Sequence, residues 1–131
     1  MTQTTTVLDA SAVLVLLMQE PGHERVAAVV ARGEAALCSV NLAEVVGKLV
    51  DKGMTPELAA RAVADLELDI IPFDQPLALE TAHLRPLTRK LGLSLGDHCC
   101  LATAIRLAAV AMTADKDWAK LKLKTKVVLI R

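Results

Sequence analysis

The chain reads as a three-layer α/β/α sandwich around a central, mainly parallel sheet. Three observations predict it. Short β-branched or apolar runs of four to six residues alternate with longer stretches whose apolar residues recur at helical spacing. Most of the short runs are apolar along their length rather than alternately, as strands covered on both faces must be. Several acids stand at strand-to-helix junctions, the carboxyl edge at which open parallel sheets take their ligands. At 131 residues the chain is long enough to bury a sizeable core, and 1–131 is expected to form a single domain.

The first strand is Thr5 to Leu8, ending in Asp9. A helix over Ala12–Met18 follows, with Ser11 as its candidate cap. Glu20-Pro21-Gly22 breaks the pattern, and His23 to Ala31 forms a second helix that Arg32-Gly33 stops. Ala35 to Ser39 is a strand. Asn41 to Val50 is a helix with Leu42, Val45, Val46 and Leu49 on one face, and Glu44 lies in its first turn. Thr55-Pro56 starts a helix that runs to about Leu66, because Thr caps and Pro fits the first helical position. Leu68 to Phe73 is the next strand. The helix opened by Asp74 and Pro76 is expected to kink or divide at Pro86 on its way to Leu91. Ser94-Leu95-Gly96-Asp97 opens a helix that continues to Ala108, Ala109–Thr113 is a strand with Asp115 just past its end, and a turn over Asp117–Leu121 leads to a last strand, Lys126–Ile130. No internal repeat or linker interrupts this order.

Composition narrows the function. The apolar fraction of 53% is high while aromatics are only 2%, so aliphatic side chains pack the core and surplus apolar surface is expected to meet a partner or a second copy. Net charge is zero, so no global basic field advertises nucleic acid. From Lys116 onward, however, six basic residues face the single acid Asp117. Cys38, Cys99 and Cys100 match no zinc spacing with His23, His83 and His98, and read as buried thiols. No signal-like segment precedes Asp9 and no apolar run approaches the roughly 18 residues that span a bilayer, so a cytoplasmic protein is expected.

Four acids carry the candidate chemistry: Asp9, Glu44, Asp97 and Asp115. Singly, each reads as a helix cap or turn residue, and Asn41-x-x-Glu44 and Ser94-x-x-Asp97 both have the spacing of a capping box. Together they can occupy one carboxyl edge. Carboxylates about 4 Å apart repel by roughly 4 kcal/mol at an intermediate dielectric, a cost that a hard cation such as Mg²⁺ or Mn²⁺ would remove. One or two such ions can activate water and stabilise a phosphate leaving group. No glycine-rich phosphate loop, G-x-S-x-G elbow or Ser/His/acid set competes with this reading.

Four segments in order, Val7–Ala12, Ser39–Val45, Ser94–Ala104 and Met112–Trp118, resemble the motifs of PIN-domain ribonucleases, and in size and layout the chain is similar to the VapC-type toxins of VapBC toxin/antitoxin pairs. The resemblance implies a PIN-like fold in which Asp9, Glu44, Asp97 and Asp115 bind Mg²⁺ or Mn²⁺, with Asp117 a further ligand and Ser11 and Thr113 in support. It implies endonucleolytic hydrolysis of tRNA or rRNA by metal-activated water, leaving a 5′-phosphate and a 3′-hydroxyl. It also implies a homodimer silenced by a cognate antitoxin, the two together binding operator DNA. Trp118 stands where the family more often has Phe and reads as a core plug. With Phe73 and Trp118 the only aromatics, RNA would be held through its backbone, for which Lys116, Lys120, Lys122, Arg85 and Arg89 are the candidates. Two other classes fit part of the pattern: a metal-binding RNA regulatory module that does not cut, and a receiver-like signalling domain, for which Asp74 follows a strand but no Lys accompanies it to complete the acceptor pair.

Overall fold

The computed structural model describes residues 4–131. Five strands, β1 (Thr6–Leu8), β2 (Ala35–Cys38), β3 (Asp69–Ile71), β4 (Val110–Thr113) and β5 (Val127–Leu129), form one sheet in the order β3-β2-β1-β4-β5, every pair parallel. In the centre, Leu8 pairs with Leu37 on one side and Met112 on the other. β1 is buried throughout, which accounts for its unbroken apolar character.

Helices cover both faces. On one face α1 (Ala10–Leu17), α2 (His23–Ala31), α3 (Ser39–Asp51) and α4 (Pro56–Ala64) pack over Leu8, Leu37 and Met112. On the other, α5 (Gln75–Ala82) and α7 (Leu95–Arg106) pack over Val7, Ala36, Cys38 and Ala111, with the short α6 (Arg85–Thr88) between them in the chain. Successive strand residues feed opposite cores, as the pleat requires. Trp118 is fully buried in the second core, in the short 3₁₀ turn Lys116–Lys120, as a plug should be. The three cysteines are free and buried. Among the described residues no helix is long and apolar enough to cross a membrane.

Several boundaries differ from the sequence reading, each for a local reason. α1 begins at Ala10, because Asp9 and not Ser11 supplies the cap, its carboxylate accepting from the Ala12 amide. α3 begins at Ser39, straight out of β2, so Asn41 lies inside the helix and the Asn41-x-x-Glu44 spacing is not a capping box. The box at Ser94 and Asp97 does form, with both reciprocal hydrogen bonds. The Leu68–Phe73 run yields only three residues of strand, at the sheet edge with Ile70 exposed, since an edge strand needs apolar cover on fewer sides. Pro86 divides the predicted long helix, sitting in the first turn of α6. α7 ends at Arg106, and Ala108 takes a left-handed conformation (φ 51°) that no helix continues.

The strand order also removes the receiver-like alternative. Receivers place β1 between β2 and β3, whereas here it lies between β2 and β4. Asp74 is exposed, caps α5 and sits 3.6 Å from Arg106, away from the centre of the carboxyl edge.

The chain's end is pinned at Gly22, which opens α2 with φ 95°; a Cβ there would lie 2.3 Å from Ile130 Cγ2. Gly22→Ala should therefore lower the free energy of urea unfolding by about 2–4 kcal/mol, through left-handed strain and overlap. Gly47→Ala, mid-helix in α3 with nothing within 4 Å of the added carbon, should raise it by about 0.5–1 kcal/mol. Equal effects of the two changes would contradict the packing described.

Candidate active site

From β1 the chain steps outward through β2 to β3 on one side, then crosses back to β4 and outward to β5 on the other, so the carboxyl ends of β1 and β4 flank the switch point of the sheet. A cleft of about 330 Å³ opens there, lined by Asp9, Ala10, Ser11, Asn41, Glu44, Lys48, Ser94, Asp97 and Asp115. The four predicted acids thus share one place. They arrive from α1, α3, α7 and the loop after β4, whose starts meet where the strands end.

Asp9 is the most constrained. The residue is 5% exposed, Oδ1 accepts from Ser11 Oγ (2.7 Å) and the Ala12 amide (2.8 Å), and Oδ2 accepts from Thr113 Oγ1 (2.5 Å). Ser11 Oγ also accepts from the Ala114 amide, and Thr113 Oγ1 from the Asp115 amide. Ser11 and Thr113 thus tie the start of α1 to the loop after β4. Burial pushes the Asp9 carboxyl above its ordinary 3.8; its hydrogen bonds pull the other way, and the charge of Asp97 adds to the rise.

The other acids are half-buried or exposed. Asp97 spends Oδ2 on the Ser94 amide. Asp115 is exposed, and its Oδ1 accepts from the Asp117 amide. Glu44 Oε1 accepts from Asn41 Nδ2 at 2.8 Å. Asp117 does not line the cleft; it is exposed, with its carboxylate 3.7 Å from Lys120 Nζ. Lys116, Lys120, Lys122, Arg85 and Arg89 are all exposed and none lines the cleft.

Two contributors escaped the sequence reading. Among the described residues Lys48 is the one cation lining the cleft, and its signal was present, since it stands four residues after Glu44 on the same helical face. Asn41 was read as a cap, and its contact with Glu44 depends on where α3 begins. The oxygen-only donor set suits a hard divalent cation. As they stand, no three His, Cys, Asp or Glu side chains among the described residues converge closely enough to hold a metal ion.

The chain is thus a parallel sandwich whose acids gather at the switch point of its sheet. The PIN domain family model matches residues 6–124, and the chain belongs to that family. No curated protein matches it in sequence. Among solved structures, the fold is similar to DNA-bound VapBC from Salmonella typhimurium (17% identity, 98% of this chain and 100% of that chain, TM-score 0.77). It is also similar to a toxin–antitoxin complex from Klebsiella pneumoniae (22%, 97% and 98%, 0.73). A third likeness is to VapBC-5 from Mycobacterium tuberculosis (26%, 98% and 98%, 0.60).

The raised Asp9 pKa has a sign that can be measured. A carboxyl whose folded pKa exceeds its unfolded value gives stability that is present below the unfolded pKa and lost as pH rises through the folded one. Asp9→Asn keeps the cap acceptor and removes the charge. Its metal-free melting temperature should match the parent near the ordinary carboxylate pKa of 3.8 and exceed it increasingly as pH rises. Asp9→Ala, which orphans the Thr113 and Ser11 hydroxyls and the Ala12 amide, should cost about 2–4 kcal/mol. Thermal melts between about pH 4 and 8 check both.

Proposed function

We propose that this chain is a metal-dependent endoribonuclease of the VapC type, the toxin of a type II toxin/antitoxin pair acting in the cytoplasm on tRNA or rRNA, with one domain, 1–131, carrying the whole activity. The observation that carries the proposal is the meeting of Asp9, Glu44, Asp97 and Asp115 in one cleft of a PIN-family chain.

In this reading the four carboxylates hold Mg²⁺ or Mn²⁺, and Asp117, outside the cleft, at most touches the rim. The bound ion supplies a water of lowered pKa and neutralises charge on the phosphate. Asp9, fixed by three hydrogen bonds, keeps its position without reorganisation. Asp97 offers Oδ1 while Ser94 holds Oδ2. Lys48 stands in the cleft, where it can meet a phosphate oxygen. The oxygen of water bonds to phosphorus, the P–O3′ bond breaks and the 3′-oxygen leaves with a proton, giving a 5′-phosphate and a 3′-hydroxyl. Lys116, Lys120, Lys122, Arg85 and Arg89 serve the RNA backbone outside the cleft.

The partners follow from the same reading: a second copy, a cognate antitoxin, and operator DNA bound through the antitoxin. Exposed Leu79, Leu87 and Leu95 on the α5–α7 side, and Leu58 and Ile70 on the α4–β3 side, support burial against protein surfaces. A pool of tRNA and rRNA incubated with the purified protein should be cut at discrete positions with Mg²⁺ or Mn²⁺. Cleavage should stop with chelator and fall by about 100-fold or more in Asp97→Asn. Cleavage that persists in the mutant or under chelation would refute the reading; metal binding without any cleavage would favour the non-cutting RNA regulatory module instead.

A further inference from the structure

We propose that Asn41 and Gly96 are positioning residues that hold the Glu44 carboxylate against the first turn of α7, and that this cradle sets the affinity of the cleft for a hard divalent cation. The inference rests on reading the cleft as a metal centre.

Asn41 is 1% exposed and lies in the first turn of α3. Both contacts of its amide nitrogen serve the cleft wall: Nδ2 donates to Glu44 Oε1 at 2.8 Å and to the Gly96 carbonyl at 3.1 Å. One side chain therefore bridges α3, which carries Glu44, to α7, which carries Asp97. Its Oδ1 is buried and has no hydrogen-bond partner. A residue needed only for packing would be apolar here, because an unmet buried acceptor is costly. Asn41 also lines the cleft.

Gly96 supplies the other half. It is the second residue of a regular helix and its φ is not left-handed, so no backbone conformation calls for glycine. Space does: a Cβ at this position would lie 2.3 Å from Glu44 Oε1 and 2.6 Å from both Cδ and Oε2. The Glu44 carboxylate occupies the room that any other residue would fill. There it lies over the first turn of a twelve-residue helix, where the helix dipole favours negative charge, one residue from Asp97. Freed from the cradle, Glu44 could swing along its own helix toward Lys48, four residues on.

The geometry separates positioning from folding. The obstacle to a Cβ at Gly96 is the far end of a flexible side chain, and alanine is the better helix former. Gly96→Ala should therefore melt at the parent temperature or above it without metal. It should also bind Mn²⁺ about 10-fold or more weakly by calorimetry, the loss usual for residues that orient a ligand. Asn41→Ala should weaken Mn²⁺ binding to a similar degree. Combined with Glu44→Gln, neither change should add its full loss, because both act through that carboxylate. Parental Mn²⁺ affinity in Gly96→Ala and Asn41→Ala, alongside lost binding in Asp97→Asn, would overturn the cradle and leave the metal centre standing. Parental affinity in Asp97→Asn as well would remove the metal centre and the cradle with it. Fully additive losses with Glu44→Gln would also overturn the proposal.

Discussion

The structure turns on one buried carboxylate. Asp9 ends the central strand and has the two flanking strands beside it; the chain leaves the sheet there toward β2 and crosses back past it from β3 to β4. A charge at 5% exposure is tolerated only with its hydrogen-bonding capacity met. Here Ser11 and the Ala12 amide meet it from α1, and Thr113 meets it from β4. Those bonds fix the register of α1 against the end of β4, and hence the position of Asp115 two residues beyond Thr113.

The same arrangement dissolves the choice between cap and ligand. Asp9 caps α1, Asp97 closes the capping box of α7, and Asp115 caps the 3₁₀ turn that follows it. In a parallel sandwich the helices that follow strands start at the carboxyl edge, so an acid that caps such a helix is already aimed near the shared cleft. The positive ends of α1, α3 and α7 gather there too. Mutual repulsion is thereby reduced, though not removed, and Asp9 keeps a raised pKa to which burial contributes most and Asp97 adds.

Much of this was legible from residues. The β-branched and apolar run at Thr5–Leu8, the Ser94/Asp97 spacing and Pro86 each pointed to the feature that forms, because each acts through local chemistry. What stayed hidden depended on tertiary position. Ser11 and Asp9 are both good caps, and only the place where β1 leaves the sheet decides between them. Asn41 has the sequence of a cap, yet α3 starts two residues earlier and turns its amide toward Glu44. Gly96 was visible only as part of a motif; that its missing side chain is filled by a glutamate from another helix is a fact of packing.

Zero net charge conceals a local separation. The cleft brings together four acids and, among the described residues, one cation, Lys48, while Lys116 follows Asp115 immediately and Lys120 and Lys122 lie just beyond. On the proposed reading, an RNA backbone is drawn to that exposed basic flank but repelled from the cleft while the acids are uncompensated. On the same reading, cation and RNA would favour each other's binding, since each would lower the electrostatic cost of the other. On that reading the coupling lets a chain with two aromatics and no overall positive field act on a polyanion, the attraction being made locally, at the cleft, by the metal proposed for the four carboxylates.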